Sequence, residues 1–278
     1  MNQFTIENTQ QFEIFSKEIN QEFIINIGLP PNYSKDHDKY PVVYVTDAGS
    51  NFIGLMGSLP LMQFVNDLPS FVLVGIDYKS PNSMDSMSLR NRDLTPTNDK
   101  IWMAAQKDMY KIFGEDLPQV EAGGAKYFLD FINDDIKPFI NNKYYVDTTD
   151  QTYCGFSLGG LFGLYTLFNS SDSFKRYVIG SPSIWWDDRH ILKVEEEYAK
   201  KNKNLSAKVF MSIGDLEEEE GGDNFKMISN MKTLSNTLLS RNYKGLDLET
   251  AIFEDETHCS AVSATLNRGL RKVFKSDA

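Results

Sequence analysis

The sequence is poor in cysteine and histidine, holds no long apolar run and has too few basic residues to balance its acids. Two cysteines in 278 residues exclude a disulfide framework as the source of stability. Lys and Arg number 28 against 39 Asp and Glu, a formal net charge of −11. That balance argues against nucleic acid or an anionic membrane as partner, because both attract basic patches. No segment approaches the roughly 18 consecutive apolar residues of a membrane-spanning helix. The opening MNQFTIENTQQF has neither the basic stretch nor the apolar core of a secretory leader, so the sequence predicts a cytoplasmic chain with no membrane partner. Three histidines, His37, His190 and His258, leave few candidates for any imidazole chemistry.

What the chain does have is core-forming residues, 41% of the total, enough for one large domain over 1–278. Short β-rich runs alternate with stretches of helical period, the pattern of a mostly parallel sheet with helices on both faces. Eight strands are expected, at 12–19, 22–30, 41–47, 71–77, 152–156, 177–182, 208–215 and 248–255, the first two as an antiparallel pair. In 123–144 Phe128, Phe131, Ile132, Ile136 and Phe139 form a helical stripe, and in 224–243 Met227, Met231, Leu234 and Leu238 form another, both read as core. Residues 78–122 break the alternation. They hold no strand signal and one helical stretch near Ile101–Phe113, and they read as an irregular, lid-like insertion.

Gly155-Phe156-Ser157-Leu158-Gly159 fits G-x-S-x-G, with a strand before it and a helical run after it. In a nucleophile elbow the chain turns sharply from strand to helix and presents the serine hydroxyl above the sheet. The flanking positions have no room for side chains, which accounts for the glycines. The turn also places the backbone N–H of Leu158 at a helix N-terminus, where it faces a developing oxyanion.

A serine needs a base. In this class the chain order is nucleophile, acid, histidine, which excludes His37 in a charged loop and leaves no strand for the acid before His190. His258, in EDETHCSA after the last strand, remains. The acid then belongs to the loop after the seventh strand, where Asp215, Glu217, Glu218, Glu219 and Glu220 crowd together; one of them suffices, and the rest read as a solvated acidic face. Arg90 and Arg92 are candidate contacts for an anionic substrate group, with a structural ion pair of Arg92 and Asp93 as the competing reading. Trp185 and Trp186 follow a strand end where ligands gather, so one is expected in a pocket wall and the other in the core.

The segments KYPVVYVTDAGSNF (39–52), RNRDLTPT (90–97), GGAKYFLDFI (123–132), CGFSLGGLFGLYTLF (154–168), SPSIWWDD (181–188), SIGDLEEEE (212–220) and ETHCSAVSATLNRGLR (256–271) occur in order. Together they resemble the putative-esterase branch of the α/β-hydrolases, which includes ferric-siderophore (enterochelin-type) esterases and esterase D-like enzymes. The resemblance spans nearly the whole chain. It implies an α/β-hydrolase fold and a Ser157–His258 pair with Glu217 at the position of the family's acid. It also implies an oxyanion hole from the N–H groups of Leu158 and of Gly49, the second residue after Asp47, although relatives often have Asp-Gly where this chain has Asp47-Ala48.

The expected function is hydrolysis of a small-molecule carboxylic ester through an acyl-enzyme, with no metal and no organic cofactor. Acyl transfer to another alcohol, as in the related mycolyltransferases, is a second reading. A non-catalytic ligand-binding protein on the same fold is a third, against which an intact serine, histidine and oxyanion loop argue. Neither the ester nor the oligomeric state is given by the sequence.

Overall fold

The computed structural model describes residues 5–36, 38–80, 83–112, 120–220 and 222–275. Eight strands make one sheet in the order β1-β2-β4-β3-β5-β6-β7-β8. They are β1 (Thr9–Ser16), β2 (Gln21–Gly28), β3 (Tyr40–Thr46), β4 (Val72–Tyr78), β5 (Val146–Phe156), β6 (Arg176–Gly180), β7 (Asn204–Gly214) and β8 (Lys244–Phe253). β1 and β2 pair antiparallel, as do β2 and β4, and β4 through β8 run parallel. This is the α/β-hydrolase architecture the sequence predicts. β5 begins earlier than the 152–156 expected, and its outer residues 147–150 stay partly exposed while 151–156 enter the core.

The helices are α1 (Ala48–Phe64), α2 (Ser83–Asp93), α3 (Lys100–Ile112), α4 (Ala125–Phe131), α5 (Lys137–Lys143), α6 (Leu158–Asn169), α7 (Trp186–Lys201), α8 (Glu217–Glu220), α9 (Gly222–Phe225), α10 (Met227–Arg241) and α11 (Ala261–Phe274). A π turn, Ile132–Ile136, joins α4 to α5; Phe128, Phe131, Ile132 and Ile136 are buried as the stripe predicts, whereas after the turn Ile140 is buried and Phe139 only half-buried. One face of the sheet is covered by α4–α7 and α10, the other by α1 and α11. The Met227, Met231, Leu234 and Leu238 stripe is core, but its helix begins only after a left-handed residue, Lys226 (φ 42°), which separates it from α9.

The segment 78–122 is not irregular where it is described. It forms α2 and α3, and Thr95 Oγ1 closes the first of them by donating to the Asn91 carbonyl at 2.6 Å. α2 carries so many polar residues that no apolar stripe marks it, which is why its period is silent in the sequence.

β3 stands between β4 and β5, so the chain leaves β3 in one direction and returns on its other side. Such a reversal opens a crevice at the carboxyl ends of the strands, the usual place of a ligand in an open α/β sheet. Ser157 directly follows β5 at that end, and the loops after β6, β7 and β8 gather beside it.

Candidate active site

Ser157 sits at φ 59°, ψ −117°, a conformation side-chain-bearing residues rarely adopt and one that marks strained functional turns. The turn is held by its backbone: Ser157 donates its N–H to the Gly180 carbonyl at 2.9 Å and accepts at its own carbonyl from the N–H of Ser183 at 3.2 Å. A Cβ at Gly155 would lie 2.3 Å from the Gly159 carbonyl oxygen, and one at Gly159 would lie 2.6 Å from Thr46 Oγ1. Both positions therefore require glycine, as the motif predicts. Leu158 opens α6, so its N–H is among those with no acceptor inside the helix.

Of the five crowded carboxylates, one meets the histidine. Glu217 Oε2 lies 2.6 Å from His258 Nδ1, while Glu217 Oε1 accepts from Ser181 Oγ at 2.6 Å and from the Gly214 N–H at 2.8 Å. The glutamate is 1% exposed. Three donors converge on a buried carboxylate and fix which oxygen faces the imidazole. Asp215 has a different task, accepting the N–H of Glu256 within the loop after β8. Glu218 receives the N–H groups of Ile228 and Ser229 at the start of α10, where a negative charge is favoured. Glu220 Oε2 accepts the backbone N–H of His258 at 3.0 Å. Only Glu217 is buried; Asp215 and Glu218 are half-buried and Glu219 and Glu220 exposed, so most of the run is solvated as expected, while Asp215, Glu218 and Glu220 also accept backbone N–H groups.

Ser157, Ser183, Trp185, Glu217, Glu220, Phe225, Met227 and His258 line a pocket of about 230 Å³. Ser157 Oγ contacts Ser183 Oγ at 3.4 Å and makes no hydrogen bond to His258, which shares the pocket and packs its ring on Phe156, centroids 5.1 Å apart. Hydrogen bonds between a nucleophile and its base often tighten only when substrate is bound. Trp185 leans on Phe225 and on Trp102 of α3, at 4.5 and 4.9 Å between ring centroids, so α3 backs the pocket wall.

Other expected residues lie elsewhere. Trp186 is buried, its Nε1 donating to the Thr97 carbonyl at 3.0 Å, and it is the core member of the pair rather than a substrate contact. Arg92 forms the ion pair with Asp93 that the competing reading gave, Arg90 forms a two-bond pair with Asp47, and neither lines this pocket. Burial raises the pKa of the Asp77 carboxyl, opposed by the backbone N–H groups of Tyr78 and Gly49 that face it. The Gly49 amide expected in an oxyanion hole is therefore directed at Asp77. Sequence reasoning missed Ser181, Ser183 and Phe225, and placed Glu220 only among five candidate acids and Met227 only in the core; the one signal for Ser181 and Ser183 was their place in SPSIWWDD. Cys154 is buried beneath the elbow, with its thiol pushed far up by desolvation, and Cys259 is exposed beside His258. His37 lies outside the described residues. Among the described residues no group of His, Cys, Asp and Glu is arranged to hold a metal ion, and no helix is long and apolar enough to cross a membrane.

The chain resembles characterised proteins over its whole length. It is 32% identical to the ferri-bacillibactin esterase BesA of Bacillus subtilis, across 99% of this chain and 93% of that one. It is 27% identical to the siderophore enterobactin esterase of Emericella nidulans, across 88% and 87%. Among solved structures, the BES protein of Bacillus cereus superimposes with a TM-score of 0.82 at 30% identity, covering 99% of this chain and 98% of its own. The siderophore hydrolase EstA of Aspergillus nidulans does so at 0.79 and 25% identity, covering 95% and 93%. The family model described as "Putative esterase" matches residues 16–251. With the fold, the elbow and these matches in agreement, the chain belongs to that esterase family and acts on ester bonds.

Proposed function

We propose that this chain is a serine hydrolase that cleaves a siderophore-type carboxylic ester through an acyl-enzyme, with Ser157 as nucleophile, His258 as base and Glu217 as the carboxylate that orients it. The 2.6 Å contact of Glu217 Oε2 with His258 Nδ1, in a pocket shared with the strained Ser157, carries this reading. Ser157 Oγ turns from Ser183 toward the ring, attacks the carbonyl carbon and gives its proton to His258 Nε2. Glu217, accepting from Nδ1, holds the tautomer and stabilises the imidazolium. The Leu158 N–H faces the oxyanion, and Gly49 joins it only by exchanging Asp77 for that charge. His258 then protonates the departing alcohol, and water repeats the sequence on the acyl-enzyme. Relatives named for siderophore esters supply the substrate class.

The test is covalent labelling. A fluorophosphonate should modify Ser157 stoichiometrically in the native chain and not in Ser157→Ala, whose kcat on p-nitrophenyl acetate should fall by roughly 10³-fold or more. Labelling elsewhere, or an active Ser157→Ala, refutes the assignment. The segment 78–122 is proposed as a cover for the substrate, because α3 places Trp102 behind Trp185 and Phe225. Trp102→Ala should then lower kcat/KM for bulky trilactones severalfold more than for p-nitrophenyl acetate, a difference read directly by paired progress curves.

A further inference from the structure

Three consecutive residues just beyond Trp185 of the pocket run left-handed. Asp187 (φ 47°, ψ 59°), Asp188 (φ 49°, ψ 47°) and Arg189 (φ 59°, ψ 37°) make one such turn, after which α7 continues in the ordinary hand. In this conformation each Cβ crowds the following carbonyl oxygen, and none of the three is glycine. Aspartate tolerates the region as a single residue; a run of three that ends in arginine persists only where the surroundings hold it.

Two side chains hold it, one on each flank. Asp99 accepts the Asp187 N–H on Oδ2 at 3.0 Å, while its Oδ1 accepts the Trp102 N–H at 2.9 Å in the first turn of α3. Asn230 of α10 accepts Arg189 Nε on Oδ1 at 2.8 Å and donates from Nδ2 to the Phe225 carbonyl at 2.7 Å. Trp102 and Phe225 supply the rings on which Trp185 leans. The turn is therefore tied to the same two segments that brace Trp185, and the Arg189 N–H returns to the Trp185 carbonyl at 3.3 Å.

We propose that Asp99 is a positioning residue of this site: it keeps the left-handed turn in place, and the turn keeps Trp185 as a fixed wall of the pocket that holds Ser157, so that the site favours a large acyl group over a small one. The inference rests on the esterase reading above and deepens it. Asp99 is not among the residues that line the pocket, and its effect travels through one backbone hydrogen bond.

The experiment compares p-nitrophenyl benzoate with p-nitrophenyl acetate. Asp99→Asn keeps an oxygen to cap α3 but turns an amide toward the Asp187 N–H, so it breaks the tether and spares the helix. KM for the benzoate should rise about fivefold, the scale of one lost hydrogen bond, with kcat on the acetate within a factor of about two. All three tryptophans of the chain, Trp102, Trp185 and Trp186, belong to this cluster, so intrinsic fluorescence reads the wall alone. The emission should move to longer wavelength as Trp185 meets water. At the exposed Asp188, valine raises the cost of the left-handed turn and glycine removes it. Asp188→Val should therefore reproduce both changes and Asp188→Gly neither. A benzoate-to-acetate ratio and an emission unmoved by Asp99→Asn and by Asp188→Val, or an equal loss on both esters, overturns the inference and leaves the esterase reading intact. Turnover of neither ester by the native chain would overturn the hydrolase reading, and the inference with it.

Discussion

Two buried glutamates divide the chemistry of this molecule. Glu195 of α7 and Glu217 of α8 are both 1% exposed, and both have every carboxylate oxygen engaged. Glu195 accepts Nε and Nη2 of Arg241 at 3.0 Å each and the Tyr243 hydroxyl at 2.8 Å. Burial and the adjacent carboxylate push the Tyr243 phenol upward, so it stays a donor, and the cluster locks α7 to α10 and β8. Glu217 meets a histidine instead, and that ring is 38% exposed and borders a pocket. A fixed cation completes a buried carboxylate and ends its reactivity. An imidazole passes the effect on to whatever lies beyond its other nitrogen.

The comparison is tested most severely at the second centre. Glu217→Gln should lower kcat by roughly 10²-fold with little change in KM, and Ser181→Ala, which only releases Oε1, by about tenfold. Steady-state kinetics on one small ester checks both. A silent Glu217→Gln would leave a Ser157–His258 dyad and erase the distinction drawn here. At the first centre Glu195→Gln should leave kcat/KM within a factor of two or so while costing about 1–3 kcal/mol in stability, because Arg241 and Tyr243 lose a charged acceptor. Denaturant titration beside an activity assay separates the two outcomes, and a large activity loss without unfolding would place Glu195 in the chemistry after all.

Much of this was legible in the chain itself. Eight strands, the elbow at Ser157 and the choice of His258 follow from apolar period, glycine sterics and the scarcity of histidine, all of them local or countable. Glu217 was singled out by family resemblance alone, since spacing could not separate it from Asp215 or Glu220. Ser181 escaped notice because its role depends on a φ of 36° after β6 and on a partner from another loop. Arg90 misled for the opposite reason. A cation beside a candidate site suggests an anionic ligand until the fold supplies Asp47 as its partner across β3 and α2. α1 was not among the helices expected; it is apolar on most sides, with Ile53, Leu61 and Phe64 exposed, and it holds Pro60.

The order of elements along the sheet has a consequence for the protein's birth on the ribosome. The elbow and its strand β5 lie in the middle of the chain, whereas His258 comes only after β8 and is backed by α11, which packs on β6 and β7. Ser157 therefore leaves the ribosome about a hundred residues before His258, the base proposed for it. On that assignment the serine is synthesised first, and the site is complete only once the β8–α11 loop is made and meets Glu217.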